Sequence, residues 1–116
     1  MPNLLQFDVG RNDLLPPITI AATYSDGSII DLTAATSPKF IMRLANAADG
    51  STPKVNATAT VVSGPAGTIR YTWSGTDTDT AGTYVAEFEV VLGGKKLTIP
   101  NRKAKKIVVT VNEDHG

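Results

Sequence analysis

Cysteine is absent from this sequence of 116 residues, and histidine occurs once, as His115. The absence of cysteine excludes a disulfide across the core and any metal site built on thiolates. Secreted domains of this size commonly carry disulfides, so we expect this chain to be assembled in a reducing cytosol. Because His115 lies in a polar tail, the sequence offers no evident base to activate its many serine and threonine hydroxyls as nucleophiles.

The sequence also lacks an excess of charge of either sign, and it lacks long apolar runs. Eleven lysine and arginine residues balance eleven aspartate and glutamate residues, which argues against a globally basic nucleic-acid binder and against a strongly acidic protein. No apolar run approaches the roughly 18 residues that cross a bilayer. The first ten residues lack the basic and apolar regions of a signal peptide. The length suits one domain with a single core.

Few residue pairs could carry chemistry. Asp77 with Asp79, and Glu87 with Glu89, each place two carboxylates on one strand face, a pattern that could hold Ca²⁺ through oxygen ligands. The alternative is that the two aspartates cap a turn and that the two glutamates face solvent opposite core residues. No carboxylate lies on a predicted apolar face, where burial would raise its pKa for acid–base catalysis. We therefore predict a protein that is not an enzyme and has no metal or cofactor site.

Short segments in which apolar and polar residues alternate occupy most of the chain. This period of two is typical of β-strands, and no segment has the 3.6-residue apolar repeat of a helix. Turn sequences separate the segments, among them Asp26-Gly27 and Gly93-Gly94. The predicted strands are residues 18–24, 29–32, 39–44, one or two within 54–63, then 68–73, 84–91, 95–99 and 107–111.

The segment at residues 76–91, T-D-T-D-T-A-G-T-Y-V-A-E-F-E-V-V, begins as a polar corner and becomes a long strand. Its opening resembles the tyrosine corner of immunoglobulin-like sandwiches, in which the hydroxyl of Tyr84 would close the preceding turn. An ordinary edge strand after a glycine turn is the alternative. The pattern and the strand count predict an all-β fold: a single antiparallel immunoglobulin-like β-sandwich of seven to nine short strands. The predicted core aromatic residues are Tyr84, Trp73, Phe88, Phe40 and Tyr71.

The predicted sandwich covers residues 14–111, and a short segment at each end of the chain lies outside it. Residues 1–13 carry a weak apolar alternation at Leu5, Phe7 and Val9, which predicts either an edge strand or an arm that lies on a neighbouring subunit. We favour the arm, because chain termini are poorly ordered unless something holds them. Residues 112–116 form a polar tail.

A basic cluster begins in the predicted strand at residues 95–99 and continues through the connection to the last strand. Six of the eleven cations fall within twelve residues: Lys95, Lys96, Arg102, Lys103, Lys105 and Lys106. The cluster could contact an acidic protein or phosphates, or it could be a solvated hairpin whose lysines discourage edge-to-edge pairing. Nucleic acid is the least favoured partner, because no aromatic residue between the cations could stack on bases. We take these cations, with Leu5 and Phe7, as candidate partner contacts.

Several segments together resemble a known family. They are D-L-T-A-A-T at residues 31–36, K-F-I-M-R at 39–43, G-T-I-R-Y-T-W at 67–73, D-T-D-T-A-G-T-Y-V-A-E-F-E-V at 77–90 and T-I-P-N at 98–101. In this order they are similar to the immunoglobulin-like virion domains of tailed bacteriophages, such as the N-terminal domain of the baseplate upper protein. The resemblance covers roughly residues 17–111 and carries over no catalytic residue. Residues 102–106 are an insertion relative to the family pattern.

The resemblance implies a structural component of a tailed-phage virion, located in the tail or baseplate, the neck or the capsid surface. Such a protein would act as an assembly or adaptor module. We expect partners among the other virion proteins, a symmetric homo-oligomer or attachment to a symmetric particle, and assembly in the host cytoplasm. The alternative is a soluble sandwich that binds carbohydrate or a cell-surface ligand. That role needs exposed aromatic residues, and Tyr24, at a predicted hairpin end, is the one so placed.

Overall fold

A computed structural model describes residues 4–14, 16–24, 26–45, 52–99 and 106–112, with residues 4, 5 and 106 described by their backbone alone. These ranges contain nine strands and no helix, so they also contain no helix that could span a membrane. The strands are β1 (Leu4–Gly10), β2 (Ile18–Ala21), β3 (Thr36–Leu44), β4 (Val55–Thr58), β5 (Thr60–Ser63), β6 (Thr68–Tyr71), β7 (Gly82–Leu92), β8 (Lys95–Ile99) and β9 (Lys106–Asn112).

The strands form two sheets, which confirms the predicted all-β sandwich. The larger sheet has the order β1-β9-β7-β3-β4, with β8 also paired to β7, and the smaller has the order β2-β6-β5. In an immunoglobulin-like sandwich, β2, β6 and β5 correspond to strands B, E and D, and β3, β7 and β9 to strands C, F and G. One detail of the prediction is wrong: β1 runs parallel to β9, so the larger sheet is mixed.

Aromatic side chains join the two sheets at the centre of the core. The ring of Phe40 on β3 stacks on that of Tyr71 on β6, with centroids 4.6 Å apart and planes 7° from parallel. Trp73 packs edge-on against both rings, and Phe88 on β7 lies 5.1 Å from Phe40. All four side chains are buried, as is that of Tyr84. Because these residues come from both sheets, their contacts fix how the sheets face one another.

The N-terminal segment is the edge strand of the chain's own larger sheet. β1 pairs with β9 from Leu4 to Gly10, the side chain of Val9 is buried, and that of Phe7 packs against the core. The Asn12 amide donates to the Thr78 carbonyl, and the Thr78 hydroxyl donates to the Asp13 carbonyl at 2.8 Å. Of the two alternatives for this segment, residues 4–13 therefore form the edge strand and its exit, and not the arm that we favoured.

The predicted strand at residues 29–32 is not formed. The Ile30 amide donates to the Ala22 carbonyl, but the Leu32 amide donates to Gly64, so the backbone changes partner within two residues. No ladder can form across such a change, and a single bridge between Thr23 and Ile29 remains. Ile30 and Leu32 are nevertheless fully buried, so the segment fills the core without belonging to a sheet. For the same reason β2 ends at residue 21 instead of continuing to 24.

Candidate partner-binding surface

Two strands, β8 and β9, share one edge of β7, and the chain between them leaves the sheet. β8 and β9 both pair antiparallel with β7: Ile99 is opposite Phe88, and Ile107 is opposite Ala86. Ile99 and Ile107 are eight positions apart in the chain, whereas their partners on β7 are two apart. The chain between them is therefore six residues longer than a continuous strand would need, and this extra segment includes residues 102–106.

The predicted basic contacts divide between β8 and this extra segment. The side chains of Lys95 and Lys96 are exposed at the start of β8. Arg102, Lys103 and Lys105, like the tail with His115, lie outside the described residues. The same holds for the side chains of Leu5 and Lys106. The structure therefore locates the side chains of two of the six predicted cations, at the end of the sheet where β7 and β8 meet.

A β-bulge opens the same end of the sheet. Thr36 of β3 is opposite Val91 of β7, and Lys39 is opposite Glu89, so Ser37 and Pro38 together face a single residue of β7. Ser37 has a φ of +51°, a left-handed conformation that is uncommon outside glycine. The bulge displaces β3 from β7 locally and leaves an open depression of about 320 Å³. We call this depression the bulge pocket; it is lined by Ser37, Lys39, Glu89, Val90, Val91 and Lys96.

Two lysines and one glutamate supply the charge of the bulge pocket. Lys96 Nζ lies 3.8 Å from Glu89 Oε2, and the Lys96 side chain is 68% exposed. An exposed pair at this distance contributes little to stability, about 0–1 kcal/mol. Lys39 is exposed and forms no ion pair within the described ranges of the chain. The pocket therefore presents one loosely paired lysine, Lys96, and one lysine, Lys39, that has no ion-pair partner among the described residues.

The glutamate pair on β7 is less solvated than the sequence predicted. Glu87 and Glu89 face outward, but each is half-buried among its neighbours on the sheet. Burial raises the pKa of Glu87, and a hydrogen bond and repulsion from Glu89 raise it further, while the charges of Arg43 and Lys96 act in the opposite direction. Glu87 thus takes up a proton more readily than a solvated glutamate.

The aspartate pair serves the turn before β7. Asp77 Oδ2 accepts hydrogen bonds from the Ser74 amide at 2.9 Å and from the Tyr71 hydroxyl at 2.5 Å. The pKa of Tyr71 is raised to about 12. Burial of the phenol is the larger cause, and its hydrogen bond to the Asp77 carboxylate is the second. These contacts match the turn-capping alternative. Across the described part of the chain, no three histidine, cysteine, aspartate or glutamate residues come together as metal ligands would.

Asp79 is held by a different set of partners. Its Oδ1 accepts hydrogen bonds from Lys54 Nζ at 2.5 Å and from the Thr80 hydroxyl at 2.9 Å. The hydrogen bond from Lys54 is the main reason that the pKa of Asp79 is lowered. Asp79 therefore ties the start of β4 to the corner before β7, which is a structural role.

Sequence reasoning missed the bulge pocket. It singled out Lys96 but gave no role to Lys39 or Val91, because these residues lie on separate strands and meet only through the register of the sheet. A local signal was present: Ser37-Pro38 stands before an alternating strand, and proline is found in strands mainly at edges and bulges. That signal could have located the bulge, though not the pocket beside it.

Exposed apolar side chains mark a second surface at the hairpin between β2 and β3. The side chain of Tyr24 is 43% exposed and that of Ile29 is 48% exposed, and the Thr23–Ile29 bridge holds them at the same end of the hairpin. Tyr24 thus has the exposure that the carbohydrate-binding alternative requires.

Comparisons with models of known protein families and with curated protein sequences gave no match to this chain.

Proposed function

We propose that this chain is a structural component of a tailed-phage virion that acts as an assembly or adaptor module. The observation that carries the proposal is the interrupted strand beside β7, where a compact sandwich contains six more residues than strand pairing needs. β8 and the extra segment after it hold six of the eleven cations of a chain whose net charge is zero, so positive charge is concentrated there. The resemblance of residues 17–111 to immunoglobulin-like phage virion domains supplies the class of assembly.

The proposed mechanism is association, not catalysis. The packed aromatic core makes the sandwich rigid, so its surface is held ready for a partner and little ordering is needed on binding. Lys95, Lys96 and the cations that follow β8 would meet acidic groups on a neighbouring virion protein. Complementary charge speeds such encounters and fixes the orientation of the partners. Attachment to a symmetric particle, or a symmetric homo-oligomer, would repeat each contact around an axis.

Particle fractionation tests the proposal directly. Cells that carry the genome encoding this chain are lysed, the released particles are banded in a density gradient, and the fractions are probed with an antibody raised against the purified chain. We expect the chain in the particle band at a fixed ratio to the other virion proteins. A chain found only among soluble proteins at the top of the gradient would contradict the proposal.

The native mass of the purified chain separates two forms of the proposed role. A discrete closed oligomer that persists on dilution would indicate a ring or spike component whose interface lies on this chain. A monomer at every concentration would indicate an adaptor that binds a lattice already formed by other proteins.

The alternative function, a carbohydrate- or cell-surface-binding module, is favoured by one observation, the exposed ring of Tyr24. A glycan titration tests it with Tyr24→Ala as the variant and Leu44→Ala as a matched control, because Leu44 is a similarly exposed apolar residue elsewhere on the surface. Saturable binding that is lost only in Tyr24→Ala would replace the virion proposal with this one.

A further inference from the structure

We infer that the bulge pocket binds an acidic side chain of an extended protein segment, with its carboxylate held between Lys39 and Lys96. This inference deepens the proposed assembly function and rests on it for the kind of partner. It assigns the contact to the outer face of the sheet and adds Lys39 to Lys96, whereas the sequence predicted Lys96 as one of six cations at residues 95–106 and gave no role to Lys39.

The register of three strands brings the two lysines to one place. Lys39 on β3 is opposite Glu89 on β7, and Lys96 on β8 is opposite Val91, two residues further along β7. Since neighbouring strands lie about 4.8 Å apart, the two backbones are separated by roughly 10 Å across β7. Both lysines point to the outer face of the sheet. Phe40 on β3 and Ile99 on β8 alternate with them on the other face of their strands, and both are buried in the core. Two flexible lysine side chains can converge over β7 from that spacing.

The charge balance of the pocket favours an incoming carboxylate. Its lining holds two cations and one acid, and the 3.8 Å separation between Lys96 and Glu89 is too long for a strong pair. Lys39 forms no ion pair with the described residues. A carboxylate seated between the ammonium groups would gain two charged donors while Val91, on the same outer face, contacts its methylene stem.

The lining also distinguishes between acidic partners. It contains no aromatic side chain on which a base could stack. Glu89 stands beside the two lysines and would repel a continuous phosphate backbone more than a single carboxylate. A protein segment whose acidic residues are separated by apolar residues fits both the two lysines of the pocket and the apolar side chain of Val91 beside them.

Fluorescence anisotropy at low salt tests the inference on the full-length chain. The probe is a labelled peptide of alternating glutamate and alanine, and the reference probes are the same peptide with glutamine for glutamate and a labelled oligo-dT. We expect saturable binding of the glutamate peptide, and weakening by about fivefold for each of Lys39→Gln and Lys96→Gln. Arg70→Gln is the matched control, because Arg70 is an exposed cation on the smaller sheet; we expect its affinity within about twofold of the original chain. The thermal midpoint of each variant shows that it folds.

Three results would overturn the inference. One is the absence of saturable binding to the glutamate peptide. Another is equal weakening by Arg70→Gln, which would indicate attraction to the whole surface. The third is tighter binding of oligo-dT that depends on the same two lysines, which would assign the pocket to nucleic acid.

A further variant, Arg102→Gln with Lys103→Gln, separates this inference from the proposed function. If it abolishes peptide binding while Lys39→Gln and Lys96→Gln do not, the bulge pocket is not the site, but the basic segment keeps its assembly role. Absence of the chain from purified particles, in contrast, would overturn the proposed function whichever site binds the peptide.

Discussion

The Tyr84 hydroxyl donates a hydrogen bond of 2.7 Å to the carbonyl oxygen of Thr80, four residues earlier. This contact closes the corner that leads into β7, the strand that pairs with β3, β8 and β9. The side chain of Tyr84 is 1% exposed, so the ring is fixed within the core while its hydroxyl reaches the corner. The tyrosine corner thus anchors the strand on which the larger sheet is built.

Tyr84→Phe tests this anchor. We expect the free energy of unfolding to fall by about 1 kcal/mol or somewhat more, because the variant loses the hydrogen bond from the buried Tyr84 side chain to the Thr80 carbonyl. Urea denaturation measures the change, and Tyr24→Phe is the control, since Tyr24 is exposed. An unchanged denaturation midpoint for Tyr84→Phe would remove the tyrosine-corner assignment.

Val9→Ala tests whether β1 belongs to the chain's own core. Val9 is 4% exposed and is opposite Val111 on β9, so removing its two methyl groups should lower stability by about 1–2 kcal/mol. Gln6→Ala changes an exposed residue of the same strand and should leave stability almost unchanged. Equal stability of the two variants would return the N-terminal segment to the status of an arm.

Gly67→Ala tests a close backbone approach under the smaller sheet. Gly67 has a φ of +66°, and a Cβ atom there would lie 2.5 Å from the Ile30 carbonyl oxygen. Gly93→Ala is a matched control, because Gly93 has a φ of +62° but open space around it. We expect Gly93→Ala to cost about 1 kcal/mol from the left-handed backbone, and Gly67→Ala to cost at least about 1 kcal/mol more from the clash. Thermal unfolding of both variants measures the difference.

Glu87→Gln tests the charge state of the outer face. The pKa of Glu87 is raised in the folded chain, so folding favours its protonated form, and the associated stability is lost as pH rises through the folded pKa. We expect Glu87→Gln to be more stable than the original chain at neutral pH, by less than about 1 kcal/mol because the group is partly solvated. The difference should disappear at pH values below the usual glutamate pKa.

Asp79→Asn should change stability in the opposite direction to Glu87→Gln when the same pH values are compared. Its hydrogen bond from Lys54 lowers the pKa of Asp79, so the carboxylate stabilises the fold above its usual pKa and loses that effect as pH falls through the folded pKa. We expect Asp79→Asn to be less stable than the original chain at neutral pH and to match it in acid. If both variants are more stable than the original chain at neutral pH, the Asp79 assignment is wrong; if both are less stable, the Glu87 assignment is wrong.

The strand segments and the core aromatic residues were predictable from the sequence because their signals are local. Alternation at residues 84–91 places Tyr84 and Phe88 on one face whatever the strand pairs with, and those side chains are buried. The segment at residues 29–32 shows where such a signal fails. Its apolar residues are buried as the pattern requires, but its amides find two different acceptors, which no local pattern reveals.

The candidate site could not be predicted from the sequence, because it depends on the register of strands that are distant in the chain. Lys39 and Lys96 are far apart in sequence and meet only because β3 and β8 lie on opposite sides of β7. The side-chain alternation of each strand indicates which face a lysine occupies, but not which residue is opposite it.

The sequence by itself determined that this chain is an all-β sandwich with a tyrosine corner, because alternation, turn residues and the corner motif act within a few positions. Only the tertiary structure decided that β1 pairs in parallel with β9, that β8 and β9 share one edge of β7, and that a bulge opens a pocket between two lysines. These features depend on backbone hydrogen bonds between segments distant in the chain, and the choice among such pairings is made by the packing of the whole core.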